Sequence, residues 1–323
     1  MAYDFTTKND GAIKASELVV SIFDQVDSAF YDVLYPDILW RDNIPQGSIK
    51  SDINPGAMNH VYRSRDVKGM GQFINGDVKN IPRVGQSIGQ ITVPILDAAV
   101  GCTITDMEAE RYQYGYNSSL AQDIGEVMRR ATDLHVERCY FFGDAMAGFL
   151  SYLDYPTVTK IPADAWTGAD PQAWVNSIND AITAVWVASK NVHLPDTVKM
   201  PPSLFSMLSQ AYVIGTSTTG LAVPAFDFLQ KSNICTMVTG KPLKIVPLRY
   251  LEGAGVGGAD RIIIQEDMDR NFVMPFPLPY QLAQPVPVAF GVDTFARYKF
   301  GSFNIRYPGS MAYLDVAQAD SSS

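Results

Sequence analysis

Apolar positions recur at three- and four-residue intervals across residues 11–34, where Leu18, Val19, Ile22, Phe23, Val26 and Phe30 predict an amphipathic helix ended by Pro36. A clearer helix opens at Ser119, because Ser119-Leu120-Ala121-Gln122 spells a capping box. Leu120, Ile124, Val127, Ala131, Leu134 and Arg138/Cys139 then mark one apolar stripe, and Gly143 supplies the stop. About 24 residues at ~1.5 Å each make a rod of roughly 36 Å. A third helix is predicted from Pro171 through Trp174, Ile178, Ile182, Val185 and Trp186, closing near Asn191. Strand-like runs follow at Thr197–Met200, which leads into Pro201-Pro202 and a helix from Ser203, and at Leu243–Val246, Arg261–Gln265, Phe303–Arg306 and Met311–Val316. The Ser321–Ser323 tail is expected to be disordered. No internal repeat is visible.

Residues 57–95 differ in kind. Asn75-Gly76 is a strong hairpin signal, since a type I′ turn needs positive φ at both central positions. The flanks, Val61-Tyr62-Arg63 and Ile91-Thr92-Val93, alternate like strands, and Gly69, Gly71, Gly85 and Gly89 loosen them. This pattern predicts a long, lightly anchored β-hairpin. An isolated two-stranded hairpin is marginal in water, so such an arm needs a surface to lie on.

Charge sharpens that picture. The 323-residue chain carries a net −9, with 47% apolar and only 18% charged residues, against roughly 25% charged in an average soluble domain. Few charges at ordinary hydrophobicity imply that much of the surface is neutral, as when it is buried against other chains. Arg63, Arg65, Lys68, Lys79 and Arg83 against Asp66 and Asp77 give residues 57–95 a net +3, whereas residues 1–56, with four basic and nine acidic residues, hold −5. An acidic total disfavours a protein built to grip nucleic-acid phosphates.

Candidate chemistry is sparse. Cys102, Cys139 and Cys235 are odd in number and lack C-x-x-C, which predicts buried free thiols. Three histidines leave little material for a metal site, and neither a metal nor a cofactor is expected; His135 reads as a structural histidine in the long helix, with His60 and His193 isolated. Gly253-Ala254-Gly255-Val256-Gly257-Gly258 matches G-x-G-x-x-G, but a strand follows where a dinucleotide site needs a helix N-terminus, so a loop between strands is expected. Gly215–Gly220 misses the nucleophile-elbow pattern at its fifth position. Asp106, Glu108 and Glu110 alternate, so on a strand their carboxylates would share one face, as a carboxylate-dependent hydrolase could use; an edge strand's solvated or interface face is the commoner use. Glu266, Asp267 and Asp269 read as a shorter acidic cluster on a solvated or interface face. Neither long uncharged stretch, 200–226 or the proline-bearing 271–292, suits a membrane helix, and the N-terminus has no signal-peptide pattern.

The order of parts resembles the tailed-bacteriophage major capsid proteins of the Hong Kong 97 type, in particular a branch long catalogued as a family of unknown function. Three stretches carry the likeness: Tyr112-Gln113-Tyr114-Gly115-Tyr116 through the long helix to Phe142-Gly143-Asp144 and Gly148–Tyr152; Val198-Lys199-Met200-Pro201-Pro202; and the closing Ala296–Pro308, where Phe300-Gly301-Ser302 stands in place of the usual double glycine. The resemblance implies an α+β fold with an N-arm (residues 1–56), an E-loop hairpin (57–95), a P-domain with a long spine helix (96–162 and 276–323) and an A-domain (163–275). It implies assembly through the E-loop, at Arg63, Arg65, Lys68, Asn75, Gly76, Lys79 and Arg83, and a spine helix built on Leu120, Ile124, Val127 and Leu134. The implied function is structural, not enzymatic: self-assembly, through pentamers and hexamers, into an icosahedral shell enclosing double-stranded DNA without sequence-specific binding. The chain would be made in the bacterial host cytoplasm and reside in the virion. A portal and a decoration or scaffolding protein are the implied partners, with no membrane. Some relatives cross-link an E-loop lysine to a P-domain asparagine, and Lys68 or Lys79 with Asn304 could be read that way. An encapsulin-type compartment, which shares the fold, is the alternative within this architecture.

Overall fold

The computed structural model describes residues 36–70, 83–115, 120–166, 170–214 and 222–318. The chain divides into two units, Met1–Asp37 and Ile38–Ser323, and the second is described here. The predicted helix at 11–34, the turn residues Asn75 and Gly76, Lys79, Ser119, the Gly215–Gly220 stretch and the C-terminal serines lie outside the described residues.

A five-stranded mixed sheet organises the body, in the order Thr159–Ala163, Met311–Val316, Asp260–Gln265, Thr197–Met200, Lys244–Pro247. Both faces of its central strands are covered, which is why Ile262-Ile263-Ile264 reads as a continuous apolar run instead of alternating. Ile262, Ile264, Val198, Met200, Leu314 and Val316 point into one core, packed by the helix Pro171–Ala188. Asp170 caps that helix, accepting from Ala173 N, and Pro171 fits its first turn, where the missing N–H costs nothing. Ile263, Met311 and Tyr313 point to the other side, into a second and more aromatic core. There Tyr140 and Tyr152 stack with centroids 4.9 Å apart, and Phe303 meets Tyr140 edge-on at 4.9 Å. The strand Met311–Val316, which the resemblance groups with 276–323, thus lies in one sheet with strands of 163–275.

The long helix runs Leu120–Phe142 and ends at Gly143, whose φ of +70° is left-handed. A Cβ at that position would sit 2.7 Å from the Phe149 carbonyl oxygen, so glycine is required on both counts. The helix's buried face is Met128, Thr132, Val136, Cys139 and Tyr140. That is rotated from the predicted stripe: Val127 is 67% and Leu134 45% exposed. The helix carries apolar residues on two faces, and its buried face admits polar members whose bonds are made. Thr132 donates to the Met128 carbonyl, and Glu137 accepts from Leu39 N, Arg249 and Tyr250.

A second sheet joins Leu278–Leu282, Gly291–Gly301, Gly85–Thr105 and Asn59–Lys68, with Val286–Val288 added to the second of these. Pro279 and Pro287 sit in these short strands, Pro275 ends the strand Phe272–Pro275, and Pro277 and Pro285 fall in the links between strands; no described helix is long and apolar enough to cross a membrane. Immediately after Thr105 the expected edge strand becomes the helix Asp106–Gly115. Thr105 and Glu108 form a capping box: Glu108 Oε2 accepts from Thr105 N, and Thr105 Oγ1 accepts from Glu108 N. On this helix Asp106 and Glu110, four apart, share a face while Glu108 turns away from both and is held in the cap, so the three carboxylates do not line up as a strand would align them. The Gly253–Gly258 segment is a loop between two strands, as expected.

Candidate assembly surfaces

The arm predicted from the glycine-bearing hairpin is present. Asn59–Lys68 pairs antiparallel with Gly85–Pro94 over ten residues, and Ile95–Thr105 of the same strand pairs with Gly291–Gly301. One continuous strand of 21 residues therefore belongs to the body at one end and to the arm at the other. At ~3.3 Å per residue it spans roughly 65 Å, about half of it in the arm. Beyond the root the hairpin has no third strand among the described residues, and both faces are exposed.

The register sorts the arm's side chains. Arg63 and Arg65 share one face with Val61, Val67 and Ile88. Lys68 lies on the opposite face, 3.4 Å from Asp66, so the basic charge divides. Arg83 is exposed, two residues before the return strand starts at Gly85. At the root, Tyr62 Oη donates to Asn304 Oδ1 (2.8 Å) and the Arg306 guanidinium lies 5.6 Å above its ring. Burial pushes the Tyr62 phenol up to about 12. Asn304 Oδ1 also accepts from Tyr155 Oη, so this buried asparagine fastens the arm to the aromatic core. Lys68 stands six residues along the strand from Tyr62, about 20 Å away, so Lys68 and Asn304 of one chain do not meet.

A second surface lies at the start of the long helix. Ile124 and Met128 line a cavity of about 270 Å³ together with Ile104, Ala109, Leu282 and Val292. Its rim includes Asp106, whose N–H donates to the Phe290 carbonyl (3.0 Å). Ala289 and Phe290 form a two-residue turn, since Val288 pairs with Gly291. Phe290 has a left-handed φ of +61° and is 86% exposed. Gly291 packs so tightly that a Cβ there would lie 2.3 Å from the Ile104 carbonyl oxygen. Of the predicted spine positions, Ile124 reaches this cavity and Val127 and Leu134 face outward; the Leu120 side chain lies outside the described residues.

Charged groups inside the body are tied into the fold. Arg261, 1% exposed, binds Asp315 in a bidentate fork (2.6 and 2.8 Å) and also donates to the Leu153 carbonyl and Asp154. Lys160 and Arg261 hold the Asp154 carboxyl below its usual range. Glu266, expected on a solvated or interface face, is buried and bonded to His193 Nδ1 (2.7 Å), Asn271 and Arg270. His193 is therefore partnered rather than isolated. His135 meets Tyr298 Oη at 2.6 Å and burial lowers its pKa. Cys139 and Cys235 are buried free thiols, and Cys102 is half-exposed. No group of three or more metal-type side chains converges among the described residues. Sequence reasoning missed the capping box at Thr105, although it is spelled there, and the turn at Phe290, which no residue type announces.

Comparison with known proteins gives a consistent result. The family model described as "Major capsid protein" matches residues 69–316. Among solved structures, the capsid of Myoviridae phage XM1 superposes with a TM-score of 0.71 at 14% identity, covering 92% of this chain and 97% of that one. The capsid of a native GTA particle gives 0.62 at 12% identity, covering 94% and 98%. A Mycobacterium phage Bobi chain gives 0.59 at 11%, again covering 94% and 98%. No curated protein matches the chain in sequence.

Proposed function

Since the chain belongs to the major capsid protein family, with a structural role in a virion shell formed from its own copies, we propose that the shell is icosahedral and that the arm grips a neighbouring copy. The carrying observation is the arm itself: ten paired residues with no core of their own and apolar side chains on both faces. Laid across a neighbour, each such arm turns a later contact into an intramolecular one, raising effective concentration. Residues 1–56 act as the N-arm, 57–95 as the E-loop, 96–162 with 276–323 as the P-domain, and 163–275 as the A-domain at the centres of pentamers and hexamers. The body sheet takes strands from both of the last two divisions, so the proposed boundary runs along the chain and not between sheets.

The shell encloses double-stranded DNA without reading its sequence, which the net charge of −9 supports. A portal and a scaffolding or decoration protein complete the partners, assembly takes place in the bacterial host cytoplasm, and the chain performs no catalysis. The hydrolase alternative rested on three carboxylates sharing a strand face, and on the helix Glu108 turns away and is bonded into the Thr105 cap. The structures named above are phage and GTA capsids, so nothing favours an encapsulin.

Size-exclusion chromatography with negative-stain microscopy tests this reading. Megadalton particles are expected from the purified chain, and Arg63→Glu with Arg65→Glu, on one arm face, should shift assembly to higher salt or higher protein concentration. A chain that stays monomeric under all conditions overturns the shell; unaltered assembly of the double variant removes the electrostatic part.

A further inference from the structure

The turn at Phe290 and the cavity beside it have the form of a knob and a socket. An aromatic side chain 86% exposed on a left-handed backbone is disfavoured twice, by water and by φ. The backbone there is over-determined: the Val288–Gly291 pair closes the turn, Asp106 N holds the Phe290 carbonyl, and Gly291 abuts Ile104. Strain held in this way is a pointer to function. The cavity next to it, about 270 Å³ and walled by Ile104, Ala109, Ile124, Met128, Leu282 and Val292, is left empty by the chain's own Phe290. Apolar cavities of roughly 150 Å³ already accept a benzene ring.

We infer that Phe290 of one copy inserts into the Ile124–Met128 cavity of another, closing a small ring of subunits. The occupant is a second copy because knob and socket meet at one residue. Asp106 bonds to the Phe290 carbonyl and also lines the cavity. A rotation axis passing beside Asp106 therefore carries each Phe290 to its neighbour's socket with little translation, and a head-to-tail contact that returns on itself closes instead of propagating. The exposed Val286, Val288 and Phe295 on the same strand pair extend the apolar surface around the knob.

The inference rests on the shell reading above, and it is tested on the full-length chain by light scattering against protein concentration, with thermal melting of dissociated subunits alongside. Phe290→Gly removes the knob and relieves the backbone. Gly125→Leu adds bulk at the socket wall, where a Cβ would meet nothing within 4 Å, and replaces a helical glycine. Each should raise the concentration needed for assembly roughly tenfold to a hundredfold, the worth of burying one aromatic side chain, while subunit melting stays the same or rises. The double variant should be no worse than the poorer single, because both remove one contact. Either variant assembling at the wild-type concentration, or losses that multiply in the double variant, would overturn the inference alone. A wild-type chain that forms no particles overturns both it and the shell. Should a variant fail to fold, differently tagged Phe290→Cys and Gly125→Cys chains are co-assembled and oxidised with diamide. A disulfide between the two tags supports the contact, and its absence overturns it.

Discussion

Lys199 offers the sharpest test of the body's energetics. It sits between Val198 and Met200 in the inner strand Thr197–Met200, 3% exposed, where its ammonium donates to the Asn43 carbonyl (2.8 Å) and Tyr152 Oη (3.1 Å). Burial lowers its pKa from 10.5 to about 7; Asp267 opposes that fall and Lys244 adds to it. The unfolded chain keeps the proton up to about pH 10.5, so between pH 7 and 10.5 the unfolded state binds more protons. Stability contributed by this group therefore rises with pH across that window, at just over 1 kcal/mol per unit. Below pH 7 the whole cost of burying the charge, on the order of 5 kcal/mol, opposes folding. Lys199→Met keeps the stem and deletes the charge. It also strands the Asn43 carbonyl, which costs about 1–3 kcal/mol, while Tyr152 keeps its bond to Gln265. The variant is thus expected to be more stable than wild type by about 2–4 kcal/mol at pH 6, with that advantage narrowing by about 2–3 kcal/mol by pH 9. Urea unfolding of dissociated subunits from pH 6 to 9 measures both numbers. Parallel curves for the two proteins, or an advantage that grows with pH, would refute the reasoning.

Two further substitutions probe the same body. Asp315→Ala leaves the Arg261 guanidinium buried with only the Leu153 carbonyl and Asp154, and also strips an acceptor from Val256 N. A loss of about 3–5 kcal/mol is expected in chemical denaturation, and a loss under 1 kcal/mol would show that the fork is solvated. Gly143→Ala forces a side chain onto a left-handed backbone and into the Phe149 carbonyl. It should cost roughly 1–3 kcal/mol and lower the melting temperature; an unchanged melt would mean the exit from the long helix is free to rearrange.

Much of the architecture was legible because the relevant signals are local. The helix from Pro171, the strands at Thr197–Met200 and Met311–Val316 and the arm all follow from spacing, β-branched residues and glycine placement. Where sequence reasoning failed, two local signals competed or a partner lay far away. Alternation at Asp106, Glu108 and Glu110 suggested a strand, but the Thr105–Glu108 cap satisfies helix N–H groups and prevails. The long helix was read with Val127 and Leu134 inward because it has two apolar faces, and one chain buries only one of them. Lys199 between two apolar strand residues was a visible oddity, but its partners Asn43 and Tyr152 come from distant segments. Likewise nothing near His193 announces Glu266, 73 residues away.

The strand Gly85–Thr105 has a mechanical consequence. With one strand common to arm and body, the arm is a cantilever with no hinge at its root: load at its free end arrives at Ile95 as torque on the pairing with Gly301. With the arm gripping a neighbour as proposed, copies that meet at different angles take up the difference as twist spread along the strand. The arm then behaves as a spring whose stiffness is that of a β-ribbon, and subunits in differently curved parts of a shell differ in elastic energy while keeping the same contacts.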